Sequence, residues 1–193
     1  FAGLRHLKDG KLLPCDPKEG FPEKPIKSIF ESRAGHLWIG SSDGLFEYID
    51  GRFHSIPINS QYITSITEDL SGKIFVGTGD GVFSFKEPQR KQINSVINND
   101  GLSDKLITRI CAKELIKSIF GDHKGNVWIG SVNGLVRWSN GRIITERMPN
   151  SPAIIQTNTL CGDRNGNIWI GTTQGLYRIS EGKWSIFRAV HGL

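Results

Sequence analysis

The stretch "GNIWIGTTQGLYRIS", residues 166–180, followed by "EGKW" at 181–184, decides the fold. In "NIWIGT" Ile168 and Ile170 alternate with Trp169 and Gly171, and "GLYRIS" supplies Leu176, Tyr177 and Ile179, the apolar, aromatic and β-branched content of two short strands. Between them lies "TTQG", where Gly175 is free to take a positive φ, and "EGK" makes the next turn. Upstream, "TNTLCGDRNG" adds one more strand and one more turn. The unit therefore reads as four antiparallel strands joined by glycine turns.

The same phrase occurs four times. "IKSIFESRAGHLWIGSSDGLFEYIDGRF" begins at Ile26, "ITSITEDLSGKIFVGTGDGVFSF" at Ile63, "IKSIFGDHKGNVWIGSVNGLVRWSNGR" at Ile116 and the fourth unit at Thr157. The aligned glycines are Gly40, Gly77, Gly130 and Gly171, at spacings of 37, 53 and 41 residues. A period of roughly 40 residues with four strands per unit is the signature of an all-β propeller, whose blades cannot bury their faces alone and must stack. Trp38, Phe75, Trp128 and Trp169 then occupy one position in successive blades, where a large apolar side chain fills the gap between sheets, and the glycines leave room for close packing.

The segments "EDLSGKIFVGTGDGVFSF", "GDHKGNVWIGSVNGLVRW" and "GDRNGNIWIGTTQGLYRI" resemble the two-component regulator propeller repeat, found in the sensor regions of bacterial hybrid histidine kinases and related receptors, some with diguanylate cyclase outputs. The resemblance extends over about residues 26–187, and "NDGLSDKLITRI" at 99–110 is similar to the connector that leads into a blade of that family. It implies a ligand-sensing scaffold without catalysis, in the periplasmic or extracytoplasmic part of an inner-membrane protein. Its implied partners are a small-molecule or oligosaccharide ligand, the remaining blades, the downstream signalling domain and, by association, a second copy in a homodimer. No cofactor is implied.

Composition sets the outer bounds. With 37% hydrophobic and 22% charged residues, the chain is an ordinary globular sequence long enough for one sizeable core. No run approaches the roughly 20 apolar residues of a membrane-spanning helix. The formal charge of +5 raises a nucleic-acid reading, but the cations are scattered through turns and outer strands, and the densest cluster, "KEPQRKQ" at 86–92, holds only three. No nucleic-acid partner is expected. Cys15, Cys111 and Cys161 lack metal-site spacing, so no metal is expected, and Cys161 aligns with Phe30, Thr67 and Phe120 as a small packing residue.

The opening residues read as the middle of a blade: Gly3-Leu4 matches the start of "GLFEY" and Asp9-Gly10-Lys11 the turn after it. The expected organisation is a partial blade and linker over 1–25, then four blades over 26–193 with an irregular insertion at about 98–115. That makes about four and a half blades of a larger ring. Within the insertion, Ile107–Cys111 matches the first-strand phrase at Ile26–Phe30, which suggests a blade whose remaining strands are missing; Leu106, Ile107, Ile110 and Cys111 also fit a short helix near 103–114.

Catalytic patterns are sparse. "DRNGN" at 163–167 begins like a calcium loop, but the matching stretches share too few oxygens and no acidic residue closes it. "GTGDG" at 77–81 lacks the Lys-Ser/Thr and helix of a phosphate loop, and no G-x-S-x-G occurs. Streptogramin-type lyases, propellers with similar repeats, use a histidine and an acid at the channel mouth; here His36 and His123 fall in turns between first and second strands. A lyase-like enzyme and a purely structural interaction platform remain the alternatives. A binding site is expected at the opposite mouth, in the turns between second and third strands: Ser42 and Asp43, Gly79 and Asp80, Val132 and Asn133, Thr173 and Gln174. Asp-Gly and Asn-Gly pairs also favour such turns for conformational reasons alone.

Overall fold

A computed structural model describes residues 4–14, 24–49, 52–86, 108–112, 114–152 and 154–188. All its regular elements are antiparallel strands. A hairpin of β1 (Arg5–Lys8) and β2 (Lys11–Pro14) precedes four sheets of four strands each. Blade one holds β3 (Ile26–Glu31), β4 (Leu37–Ser41), β5 (Leu45–Ile49) and β6 (Arg52–Ile56). Blade two holds β7 (Ile63–Glu68), β8 (Lys73–Thr78), β9 (Gly81–Lys86) and β10 (Thr108–Ala112). Blade three holds β11 (Ile116–Gly121), β12 (Val127–Ser131), β13 (Gly134–Ser139) and β14 (Arg142–Glu146). Blade four holds β15 (Thr157–Gly162), β16 (Ile168–Thr172), β17 (Gly175–Ser180) and β18 (Lys183–Phe187). The inner strands meet in sequence, β3 with β7, β7 with β11 and β11 with β15, an open arc of propeller blades.

The period of two along the second strand explains the stacking. Trp38 and Gly40 point to one face of blade one, and Leu37, Ile39 and Ser41 to the other. The tryptophan-bearing face of each blade lies on the isoleucine-bearing face of the next: Trp38 and Leu45 meet Ile63, Ile74 and Phe85; Phe75 and Val82 meet Ile116, Val127 and Ile129; Trp128 and Leu135 meet Leu160, Ile168 and Tyr177. The glycine two residues on makes this approach feasible. A Cβ on Gly40 would lie 2.5 Å from Ile63 Cγ2 and one on Gly77 2.8 Å from Ile116 Cγ2, while at Gly130 it would run into Thr157 Cγ2. The first residue of each inner strand therefore sits against the glycine of the blade before it.

Exposure follows the same rule. Trp38, Phe75 and Trp128 are buried, but Trp169 is only half-buried, because no described blade lies on that face of blade four; its cover comes from its own sheet, Phe187 at 5.7 Å between ring centroids and the Arg178 guanidinium at 5.5 Å. Cys161 shares this face, opposite Trp169 in the register, and is exposed rather than the packing residue expected. At the other end Ile29 is 54% exposed, although its equivalents Ile66, Ile119 and Leu160 are buried. Among the described residues outside blade one, Leu4, leading into the β1–β2 hairpin, is packed against the Ile39 cluster on that side.

Residues 108–112 correct the reading of the insertion. They form neither the first strand of a truncated blade nor a helix; β10 is the outermost strand of blade two and pairs antiparallel with β9, with a bulge between Arg109 and Cys111. Without it β9 would carry an unpaired edge, and satisfying that row of backbone groups decides where the segment goes. Cys111 is accordingly not the equivalent of Cys161, which lies on an inner strand. Cys15 and residues 87–107 lie outside the described residues.

Replacing Trp128 by Ala should cost about 3–5 kcal/mol, because it opens a cavity in the buried contact between blades three and four. Gly130→Ala should cost about 1–3 kcal/mol by forcing Thr157 away. Urea denaturation midpoints check both; an unchanged midpoint for either would contradict the packing described.

Candidate functional site

The arc has two ends, and each is built by a repeated set of hydrogen bonds. At the end carrying the turns between first and second strands, an acidic residue organises the loop. Asp122 accepts hydrogen bonds from the backbone N–H of Lys124 and Asn126, from Asn126 Nδ2 (2.9 Å) and from the indole N–H of Trp128 (2.8 Å). Asp163 does the same for Asn165, Asn167 and Trp169, and Asp69 accepts from Ser71 and Lys73. The "DRNGN" phrase is thus an Asx-type turn that also orients a tryptophan.

These bonds favour the ionised acids. The side-chain bonds from Asn167 and then Trp169 hold the Asp163 carboxyl down at about 2. At Asp122 burial pushes the value up, but the bonds from Asn126, Trp128 and Lys124 together outweigh it and the carboxyl is lowered. A lowered folded-state value means stability that is complete above the ordinary carboxylate range and lost as pH falls towards the folded value.

Blade one departs from this pattern. Ser32 replaces the acid, and its Oγ accepts the backbone N–H of His36 at 3.2 Å. His36 is buried, stacks on Trp38 with ring centroids 6.5 Å apart, and meets Glu47 Oε1 through Nδ1. In blades three and four the position of Glu47 holds Arg137 and Arg178, whose guanidiniums lie over Trp128 and Trp169 at 5.4 and 5.5 Å. His123, by contrast, is exposed in blade three, with its ring against Gly166 of blade four. The two histidines therefore stand in different blades and different environments.

At the opposite mouth lie all eight residues singled out from the sequence. Their backbone donors are largely engaged within the wall. The N–H groups of Ser42, Gly79, Val132 and Thr173 donate to the carbonyls of Pro25, Tyr62, Leu115 and Gln156, each the residue that leads into the inner strand of the same blade. The N–H groups of Asp43, Asp80, Asn133 and Gln174 donate to the hydroxyls of Ser41, Thr78, Ser131 and Thr172 at 3.0–3.1 Å. Side chains are less committed. Asp43 is 4.0 Å from Lys24, Asp80 accepts from Ser60 at 3.1 Å, and Asn133 Nδ2 donates to Glu114 Oε2 at 3.1 Å, an oxygen that also accepts from Ser131 Oγ at 2.7 Å. Among the described residues these contacts stay within one blade and its lead-in segment, so the four turns stand side by side without polar contacts between them.

One of the four borders a groove. Asn133, with Glu114 and Ser131, edges a space of about 500 Å³ whose apolar wall is Leu135, Met148 and Ile155. Glu114 did not emerge from the sequence, and neither did Tyr62, which is 45% exposed, has a left-handed φ of 63° and lies beneath the Lys27 ammonium at 5.6 Å. Aligning the residues just before each inner strand would have drawn attention to both, since those positions supply the other wall of the mouth. Among the described residues no group of His, Cys, Asp or Glu is arranged to hold a metal ion.

Residues 20–43 and 152–174 match the family described as the two component regulator propeller. Both segments are two-component regulator propeller repeats. Each runs from the lead-in of a blade through its inner strand and tryptophan-glycine phrase to the mouth turn, so the match covers the elements that build the wall just described. None of the curated proteins matches the sequence. Among solved structures, the fold is similar to the extracellular domain of a putative hybrid two component system from B. thetaiotaomicron, with a TM-score of 0.69 at 23% identity over 89% of this chain and 24% of that one. It is also similar to PorZ, a surface component of the type-IX secretion system of Porphyromonas gingivalis (0.71, 19% identity, 99% and 32%), and to virginiamycin B lyase from Staphylococcus aureus (0.63, 16% identity, 86% and 56%). These likenesses are of fold, and the chain spans about a quarter of the first structure.

In urea titrations at successive pH values, Asp163→Asn should flatten the acid limb of stability between about pH 4 and pH 2, where the native carboxylate protonates. An acid limb identical in the two proteins would show that the turn network contributes nothing to it.

Proposed function

We propose that this chain is part of the ligand-sensing region of a bacterial transmembrane receptor of the histidine kinase or diguanylate cyclase type, and that it binds rather than transforms its ligand. The observation that carries the reading is the pair of regulator repeats whose mouth turns stand in one row, with a groove of about 500 Å³ beside Asn133. Likeness to the extracellular domain of a putative hybrid two component system supports an extracytoplasmic location. The separation of buried His36 from exposed His123 favours binding over a histidine-dependent lyase reaction.

On this reading the ligand is a small molecule or oligosaccharide held at the mouth. Glu114 Oε2 is already fixed by Ser131 and Asn133, which presents the carboxylate in one orientation at little further cost in entropy. The candidate contacts remain the mouth residues Ser42, Asp43, Gly79, Asp80, Val132, Asn133, Thr173 and Gln174, joined by Glu114 and Tyr62. A ligand that binds two arrangements of the propeller and its downstream signalling domain unequally shifts the equilibrium between them by its difference in affinity. Further blades and a second receptor copy are the remaining partners.

Thermal-shift screening of the chain with a library of small molecules and oligosaccharides tests this. A stabilising compound should lose its shift in Asn133→Ala and Glu114→Gln, and should alter autophosphorylation or cyclase output of the parent receptor. Recovery of the compound chemically opened after incubation would replace the sensor reading with the enzyme. A shift indifferent to both substitutions would remove the site from this mouth.

A further inference from the structure

Among the described residues each of the four blades ends in an outer strand whose far edge has no neighbour in its sheet, and one of these strands differs from the rest. β14, "RIITE" at 142–146, is exposed at four of its five positions. By contrast β6 buries Phe53 and Ile56, β18 half-buries Trp184 and Ile186, and β10 is broken by a bulge. In β14 Ile143 and Ile144 are 42% and 38% exposed, and as successive residues they lie on opposite faces of the strand. Its interior carries none of the lysines, prolines or bulges that blunt a free edge.

The register shows which backbone groups that edge offers. Asn140 and Gly141, at φ 47° and 80°, form the two-residue turn between β13 and β14, and such a turn closes on a hydrogen-bonded pair, here Ser139 with Arg142. Alternation then directs the N–H and C=O of Arg142, Ile144 and Glu146 to β13, and those of Ile143 and Thr145 outwards. The outward groups stand symmetrically about Ile144. A second β14 laid antiparallel matches them without a shift: Ile143 meets Thr145 of the second copy in a hydrogen-bonded pair, twice over, Ile144 meets its own counterpart on the twofold axis, and Arg142 faces Glu146 at both ends. Glu146 accepts from Arg137 through Oε1 at 2.7 Å, so its other oxygen is the acceptor left for the incoming guanidinium. The other regular outer strands fail the same overlay, which sets His54 on His54 in β6 and pairs Lys183 with Phe187 in β18.

We propose that β14 is a self-association edge, through which two copies of this chain join blade three to blade three in one continuous antiparallel sheet. Neighbouring strands of a twisted sheet rotate by about 20–25°, so the three steps from β11 turn β14 roughly 60–75° away from the direction of the inner strand. The twofold axis, perpendicular to the sheet at β14, therefore runs closer to the axis of the arc than across it, and the two mouths face the same way. Two receptors anchored in one membrane need that arrangement, so the use made of the contact rests on the sensor reading, while the pairing itself does not. A five-residue strand pair buries less surface than a stable dimer requires. In solution the contact is weak, and tethering of both copies to one surface raises its effective strength.

Sedimentation equilibrium of the chain over a concentration series tests the edge. Dimerisation should appear with a Kd of roughly 0.1–1 mM. Ile144→Lys, which sets two like charges on the axis, and Arg142→Glu, which opposes carboxylates at both ends, should each weaken it by about tenfold with the melting temperature unchanged. Thr145→Pro, which removes an outward N–H and no bond to β13, should abolish it. The register is read separately by cross-linking in oxidised glutathione. Ile144→Cys should give a disulfide-linked dimer beyond the amount formed by the parent chain or by Ile143→Cys, because position 144 meets itself at about 4.5 Å between Cα atoms. A chain that stays monomeric to roughly 1 mM, association unchanged in folded Ile144→Lys and Arg142→Glu proteins, or equal cross-linking at both positions would each overturn the proposal. A failed ligand screen at the mouth leaves these outcomes intact, and absence of the dimer leaves the sensor reading to its own test with Asn133 and Glu114.

Discussion

Everything in this fold depends on one close approach: the first side chain of an inner strand resting against a glycine in the blade before it. Ile63 on Gly40, Ile116 on Gly77 and Thr157 on Gly130 set the separation of successive sheets near their inner edges. With the sheets that close, a tryptophan or phenylalanine two residues before the glycine is covered on its large face, and the isoleucines of the next second strand complete the contact. A methyl group at the glycine would hold the sheets apart and leave the ring without partner atoms, so two small features of the phrase, the missing side chain and the large one, act as a single device.

The blades were legible in the sequence because strand periodicity and the glycine turns repeat in register, and because interface residues such as Trp38 and Ile74 are of one kind wherever they recur. What could not be read is what depends on pairing rather than on type. Ile107–Cys111 carries the composition of an inner strand, yet Thr108–Ala112 lies at the outer edge of blade two, because β9 leaves an edge there that a strand of almost any composition can fill. The half-exposure of Trp169 and the exposure of Cys161 and Ile29 follow from which neighbours are present, a property of the assembly and not of the local phrase. Burial is shared between blades, so it is read correctly only where both blades are known.

The two ends of the blades were partly legible. The mouth turns fell where the phrase placed them, but their backbone donors are engaged in holding the turns to the lead-in segments, which leaves side chains as the less committed groups there. Glu114 and Tyr62 lie just before the inner strands and outside the repeated phrase, so an alignment confined to the phrase passes over them and only one extended to the lead-in positions reaches them. At the other end Ser32, His36 and Glu47 stand where blades three and four have the acid, asparagine and arginine, and they keep a polar pair beside the tryptophan with different side chains. Periodicity identifies such positions, and only packing shows which of them have been rebuilt.

The two-faced second strand has a consequence for how such a protein arises. Because one unit carries both halves of the contact, the tryptophan and glycine on one side and the isoleucines on the other, a tandem copy of its coding segment already fits against its parent. No new complementary surface has to evolve before the copy is useful. The lead-in segments and mouth turns take little part in that fit, so each copy is free to diverge there, and chemical variety can accumulate at the ends of the blades while the grammar of stacking stays the same.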